Sequence, residues 1–417
     1  MSENVLTKQN SSTSTVKISL MKTILAFQHL IAMFGATVLV PIITGFDPSV
    51  ALFSAGLGTL IFHLVTKGKV PVFLGSSFAF IPVILSVKEM YNGDLTYAQG
   101  GIVIAGLLYV IISFVIKKIG VDKVRNFLPS QVVGPMIIII GLSLIPNAIS
   151  MASKNFLIAA LTLGTALLIN FRAKGFLKQL SILCGVTIGY LTCLSLGMVN
   201  TSIIAKAELF STPNFTLPKF SLAAIITIVP ATLAVFMEHV GDITTNGQVV
   251  GKNFIEDPGL NRTLLGDGLA TMFASCIGGP ANTTYGENTG VLAITKNYDP
   301  SILRLTAVLA ILLGFISKVG KVLLSIPTPV MGGISLMLFS MISLVGFQTL
   351  KNNEINYNWK NILIIISMLA VGLGTTYIER FAGITIGIPI TSTIKLTGLS
   401  LAAITGILLN AILNRNN

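Results

Sequence analysis

Between two strongly apolar segments the chain reads GGPANTTYGENTGVLAITK, Gly278–Lys296. Its first half, with two glycines, Pro280 and Asn282, resists a continuous helix, whereas Val291–Thr295 suits one. The pattern predicts a broken membrane segment, half extended and half helical, rather than a polar loop between helices. Irregular backbone survives at membrane depth only where it faces a cavity enclosed by protein. Glu287, at the join, is then an intramembrane ionisable group and a candidate site residue.

The rest of the composition places that segment in a bilayer. Of 417 residues 53% are hydrophobic and only 10% charged, with mean hydropathy +0.85. A soluble domain carries about a quarter charged residues, so the chain reads as an all-α polytopic membrane protein. At about 20 apolar residues per span, it accommodates about 14 crossings. The net charge of +12 is explained by basic residues that hold loops on the cytoplasmic side, without a nucleic-acid partner. Met1–Val16 is polar and unlike a signal peptide, so residues 1–19 read as a disordered cytoplasmic tail. Cys184, Cys193 and Cys276 lie in apolar segments without metal-ligand spacing and read as small buried residues.

Apolar segments fall near 20–43, 49–66, 71–88, 98–117, 129–149, 155–171, 176–198, 220–244, 263–278, 282–296, 303–323, 328–348, 361–378 and 386–413. With the N-terminus inside, most of the basic residues land on inside loops, among them Lys67, Lys69, Lys117, Lys123, Arg125, Arg172, Lys252, Arg262, Lys351, Lys360 and Arg415. Both termini are then cytoplasmic. The segments at 71–88 and 282–296 are weak helices individually, but removing either one reverses the charge pattern downstream.

An internal repeat supports the same threading. Phe27-Gln28-His29-Leu30 resembles Met237-Glu238-His239-Val240, Pro71–Phe78 parallels Pro280–Glu287, and Leu128–Pro135 resembles Ile326–Gly333. The offsets, roughly 210, 209 and 198 residues, are near half the chain, as in duplicated transporter halves. Each half holds about seven crossings, an odd number, so the copies insert upside down relative to one another, with a site at the midplane between them.

The intramembrane acids are then Glu238, Asp242 and Glu287. Glu238 and Asp242, four residues apart, share a helix face, with His239 beside them. A membrane interior disfavours charged carboxylates, so such acids can take up and release protons in a working cycle, with His239 assisting. Asp242 also has a purely structural reading, as a cap near a helix end. His29 holds in the first repeat the place of His239 in the second, whereas His63 reads as a hydrogen-bonded packing residue. No metal cage, nucleotide-binding loop or nucleophile–base motif is present, so no cofactor is expected and concentrating transport would draw on an ion gradient. Extended segments at Pro71–Ser77 and Pro280–Gly286 would leave backbone N–H groups at half-helix starts, suited to carbonyl oxygens or anions. Carboxylates accept N–H donors. A planar pyrimidine or purine base supplies both, with Phe78, Phe80 and Tyr285 against its faces.

FQHLIAMFGATVLVP (Phe27–Pro41), KVPVFLGSSFAFIP (Lys69–Pro82), EHVGDI (Glu238–Ile243) and NTTYGENTGVLAITK (Asn282–Lys296) resemble the nucleobase–ascorbate transporter family, also called nucleobase/cation symporter-2. The last contains the family signature in Glu287-Asn288-Thr289-Gly290 and Thr295-Lys296. The resemblance runs from about residue 20 over nearly the whole chain and leans towards bacterial uracil carriers. It implies two inverted seven-segment repeats, with the third and tenth segments broken. It divides the chain into a core of residues 20–128 and 220–325 and a gate of 129–219 and 326–417. It implies that Glu238 and Glu287 hydrogen-bond the base, that the N–H groups of Phe78 and Gly286 meet its carbonyls, and that Tyr285 lines the site. It further implies proton symport, alternating access, a plasma-membrane location and a homodimer formed through the gate. Glu287, where many purine carriers have Gln, favours uracil over xanthine or urate, because a carboxylate accepts two N–H bonds. Uracil carriers can place a His where this chain has Asp242. Coupling therefore falls on Asp242 or on Glu238 with His239, and His29 is a further candidate. A passive channel or an intramembrane enzyme is the reading from another class.

Overall fold

The computed structural model describes residues 3–120, 129–352, 355–384, 386–389, 395–396 and 398–414. Lys123, Arg125, Leu128 and Arg415 lie outside them. The described elements are α1 (Glu3–Thr44), α2 (Pro48–Val65), β1 (Leu74–Ser76), a 3-10 turn (Phe78–Phe80), α3 (Ile81–Met90), α4 (Thr96–Ile119), α5 (Ser130–Ala152) and α6 (Phe156–Arg172). Next come α7 (Phe176–Gln179), α8 (Ser181–Ser195), α9 (Ser202–Ala205), α10 (Leu222–Ile228), α11 (Ala231–Val250), α12 (Leu260–Cys276), β2 (Asn282–Thr284) and α13 (Gly286–Thr295). The chain ends with α14 (Pro300–Gly314), α15 (Ser317–Leu324), α16 (Thr328–Asn352), α17 (Trp359–Ala382), the short strands β3 (Ile388–Pro389) and β4 (Lys395–Leu396), and α18 (Gly398–Leu413).

Among the described residues, seven helical stretches are long and apolar enough to cross a membrane, including Leu20–Thr44 and Leu222–Val250. Local signals set several helix starts. Asp47 and Asp299 each precede a proline at the first helical position, and each carboxylate accepts the N–H two residues on, from Ser49 at 2.7 Å and Ser301 at 2.8 Å. Such caps satisfy N–H groups that the helix leaves unpaired.

The observed elements differ from the sequence expectation in three places. The backbone of α1 is helical from Glu3, although residues 1–19 read as a disordered tail; once the apolar stretch from Leu20 has nucleated a helix, extending it costs little per residue. The apolar run at 303–323 divides into α14 and α15, bent by 78°, after Gly314 and before a helix that carries Lys318 and Lys321. The run at 220–244 continues to Val250 and is interrupted at Val229–Pro230, where the proline has no N–H to continue the ladder.

Helices pack in two groups. In one, α2 lies against α12 and α14, and α4 against α10 and α12; in the other, α5, α6, α16, α17 and α18 pack on one another. Helix α11 touches both, reaching α4 and α12 on one side and α5 on the other. Apolar helices in lipid gain little from hydrophobic burial against each other, so small residues that allow close van der Waals approach carry the contact. The α4–α12 crossing is of this kind. A Cβ on Gly268 would lie 2.8 Å from the Gly106 carbonyl oxygen, and one on Gly106 would lie 2.8 Å from the Gly268 oxygen.

Gly268→Val should therefore destabilise the protein by about 1–3 kcal/mol, the usual cost of overpacking. Gly164→Ala, at a position with nothing within 4 Å of the added atom, should be neutral. Thermal unfolding of the two variants in detergent compares them directly.

Candidate functional site

The centre of the molecule is a crossing of two three-residue strands. β1 pairs antiparallel with β2, Leu74 opposite Thr284, Gly75 opposite Thr283 and Ser76 opposite Asn282. The pairing extends through Ser77 N–H to the Ala281 oxygen at 2.8 Å and Tyr285 N–H to the Phe73 oxygen at 3.0 Å. So short a ladder leaves strand edges that water cannot serve in a membrane interior. Side chains serve them instead. The Thr59 hydroxyl accepts Leu74 N–H at 2.9 Å and Thr271 donates to the Asn282 carbonyl at 2.8 Å, while the Asn282 side-chain amide ties the strand to α2 by donating to the Ser54 carbonyl at 3.1 Å. Pro41, inside α1, leaves the Thr37 carbonyl without its helical donor, and the Ser76 hydroxyl donates to that oxygen at 2.9 Å.

Tyr285 locks the crossing. Its phenol donates to the Ser76 carbonyl at 2.9 Å, and its ring lies so close to Gly75 that a Cβ there would sit 2.4 Å from ring atoms. The side chain is only 4% exposed, so its visible role is to brace β1 against β2. Just beyond the crossing, the turn beginning at Phe78 and helix α13 beginning at Gly286 both start without a side-chain cap. Their first N–H groups, at the positive ends of helical turns, are suited to a carbonyl oxygen.

The acids come from α11 and α13. Glu238, Asp242 and Glu287 are partly buried, the first two on α11 and the third in the first turn of α13. Thr284 donates to the Asp242 carboxylate at 2.8 Å, which ties α11 to the end of β2. Glu238 shares a cavity of about 70 Å³ with Phe78 and Ala79, walled by Ile137 and Ile140 of α5 and by Ile342 and Val345 of α16. At that volume the two helix groups close tightly over this acid.

The two central histidines occupy different surroundings. His29 is buried and joins α1 to α13, with the Asn288 amide 3.1 Å from its Nδ1 and donating to its carbonyl at 3.1 Å. His239 is fully buried, its Nε2 3.1 Å from the Thr263 hydroxyl and its Nδ1 3.3 Å from an Asp267 carboxylate oxygen. His63 contacts the Val72 carbonyl at 2.9 Å through Nε2, a packing histidine. Asp267 has no counterpart among the acids singled out from the sequence. It is fully buried, and neither carboxylate oxygen has an aligned hydrogen-bond donor. The Tyr109 hydroxyl is also buried without a partner. The available signal was one acid between two glycines within the apolar run LLGDGLATMF. Among the described residues, no group of three or more His, Cys, Asp or Glu is arranged to hold a metal ion.

Residues 21–381 match the family profile described as Permease family (Xan_ur_permease). The chain is 41% identical over 405 residues to a uracil permease of Bacillus caldolyticus, covering 93% of this chain and 91% of that one. It is 38% identical over 401 residues to a uracil permease of Escherichia coli K12, covering 93% and 90%. Among solved structures it resembles the transmembrane domain of the cyanobacterial bicarbonate transporter BicA, with TM-score 0.64, 13% identity and coverage of 86% of this chain and 96% of that one. It also resembles the murine anion transporter solute carrier 26 family member A9 in its inward-facing state, with TM-score 0.68, 10% identity and coverage of 94% and 68%. These last two share the fold. With the profile and the relatives both spanning most of its length, this multi-pass membrane protein belongs to the nucleobase–ascorbate transporter family.

Proposed function

We propose that this chain imports uracil across the plasma membrane by proton symport, through alternating access. The observation that carries the proposal is the convergence of Glu238 and Glu287 beside two uncapped helical starts at one strand crossing. Uracil is planar, with two ring N–H donors and two carbonyl acceptors. Glu238 and Glu287 accept its N–H groups, while the backbone N–H groups of Phe78 and Gly286 meet its carbonyls. Phe78 covers one face of the ring, and Tyr285 holds the two helical starts at the spacing the ring needs. The named substrate of the relatives, uracil, has this pattern of donors and acceptors.

Proton coupling follows from the same residues. Burying several like charges together is costly unless protons neutralise some of them, so a cycle that brings a neutral base to Glu238, Asp242 and Glu287 also moves a proton. Asp267 and His239, sealed behind Glu238 and away from the ligand, extend this set of proton-holding groups. The core, residues 20–128 and 220–325, carries the site past the gate, residues 129–219 and 326–417. The separate packing of α2, α4, α12 and α14 from α5, α6 and α16–α18 favours that division. The offsets between the sequence repeats, and the antiparallel meeting of β1 with β2, favour two inverted halves of seven segments, fourteen in all. Both termini are cytoplasmic, and a homodimer forms through the gate.

Proteoliposomes given an inside-alkaline pH gradient should accumulate labelled uracil, and collapsing the gradient should abolish accumulation. Excess unlabelled uracil should compete, whereas xanthine and guanine at equal concentration should not; strong competition by a purine would overturn the choice of base. Glu287→Gln should weaken uracil binding by about 1–3 kcal/mol, the cost of an unmatched buried donor, which calorimetry on purified protein would register as a higher Kd. Asp267→Asn should keep uracil affinity but lose gradient-driven accumulation. A loss of both binding and accumulation would place Asp267 at the ligand.

A further inference from the structure

A second cavity, of about 180 Å³, lies between α3, α5, α17 and α18. It contains none of the site residues named above. Its polar lining includes Glu89 of α3, Ser143 and Asn147 of α5 and Arg380 of α17. Two carboxylates, those of Glu89 and Glu379, an amide and a guanidinium around one space offer acceptors and donors together, the complement a base with N–H and carbonyl groups requires. The cavity sits at the end of α17 remote from Lys360 and at the end of α3 remote from Lys67 and Lys69. Basic loops mark the cytoplasmic side, so this cavity opens towards the outside.

Its position relative to Glu238 is set by one pair of helical faces. Ile137 and Ile140 line the inner cavity, and Leu144 and Asn147 line the outer one. Positions 137, 140, 144 and 147 form a single stripe of α5 at helical spacing. Opposite them Ala79 lines the inner cavity, and Val83, Ser86 and Glu89 of α3 line the outer one. The two spaces are therefore stacked along one seam. Ile140 and Leu144 are four residues apart, about 6 Å along the helix. Val83 and Leu144, 3% and 2% exposed, are the buried positions one helical turn beyond Ala79 and Ile140 on these two stripes. The same stretch of α5 has a built-in break, because Pro146 has no N–H for the Leu142 carbonyl. The Tyr377 hydroxyl of α17 donates to that freed oxygen at 3.0 Å.

We propose that the outer cavity is a docking site for the incoming neutral nucleobase, and that Val83 and Leu144 form a plug one side chain thick between it and Glu238. Pro146 is the pivot at which α5 draws Leu144 aside, and the Tyr377–Leu142 hydrogen bond latches the closed position. The choice of ligand rests on the uracil reading above, whereas the route and the plug rest on the stacked cavities.

The test uses a chain whose Cys184, Cys193 and Cys276 are replaced by serine, in intact cells treated with a membrane-impermeant thiol reagent. Asn147→Cys should label from outside, and labelling should abolish uracil uptake while the purified, labelled protein keeps its uracil affinity within about twofold. Ile140→Cys should label slowly from outside. Adding Leu144→Ala should speed that labelling about tenfold, by favouring the open form, and Tyr377→Phe, which leaves no core cavity, should act in the same direction. Labelling of Asn147→Cys only after permeabilisation, or labelling that spares uptake, would overturn the docking site. Unchanged Ile140→Cys labelling in both added variants would overturn the plug. Since sidedness of labelling does not depend on the cargo, a chain that labels as described but binds no uracil would refute the substrate and leave the route standing.

Discussion

The antiparallel contact between β1 and β2 is the constraint on which the rest of this structure depends. Two chain segments stop being helical in the middle of an apolar protein, and each would expose unpaired backbone groups there. Pairing the strands satisfies part of that demand, and the hydroxyls of Thr59 on α2 and Thr271 on α12 satisfy more of it. The arrangement fixes where the two helical starts lie. It also explains why Gly75 has no side chain and why the Tyr285 phenol donates to a backbone carbonyl. A bulkier residue at Gly75 would push the Tyr285 ring away, loosen the crossing and separate Phe78 from Gly286.

The acids gain their meaning from this frame. An α11 carboxylate alone would be an isolated buried charge. Next to the positive ends of two helical turns, it becomes one member of a group with both donors and acceptors. Thr284 joins Asp242 to the strand crossing, so a shift of α11 is felt at β2. Behind this layer, His239 and Asp267 meet without solvent. The central site thus has a partly open row of carboxyls and a sealed pair in contact with it through the body of α11. Charge introduced in one layer changes the cost of charge in the other.

Much of this was legible in the sequence because it depends on local rules. Two glycines and Pro280 break a helix wherever they stand, so the half-extended form of 282–296 followed directly. Its pairing with 74–76 did not, because nothing in either segment names its partner; only the matching spacing of the repeats linked them. Glu238 and Asp242 were visible as acids one turn apart. Asp267 was missed because a single acid in a short apolar run looks like a loop residue until its neighbours are known. The hydrogen bond from Tyr285 to the Ser76 carbonyl was hidden for a related reason. An aromatic next to a site residue suggests a stacking surface, but where the ring turns is decided by a glycine 210 residues earlier, across the strand crossing. The bend between α14 and α15 was likewise hidden, since hydropathy registers the length of an apolar run and not its direction.

The backbone at the strand crossing and the side chains around it make opposite electrostatic contributions. Uncapped helical starts facing a cavity favour negative charge by themselves. In this chain Glu238, Asp242 and Glu287 stand close to those starts and offset that preference. An anion entering here would be attracted by the N–H groups and repelled by the carboxylates. A neutral ligand that accepts from the former and donates to the latter meets no such conflict. On the uracil reading, a neutral cargo is what the combination of three acids with two uncapped helical starts suits.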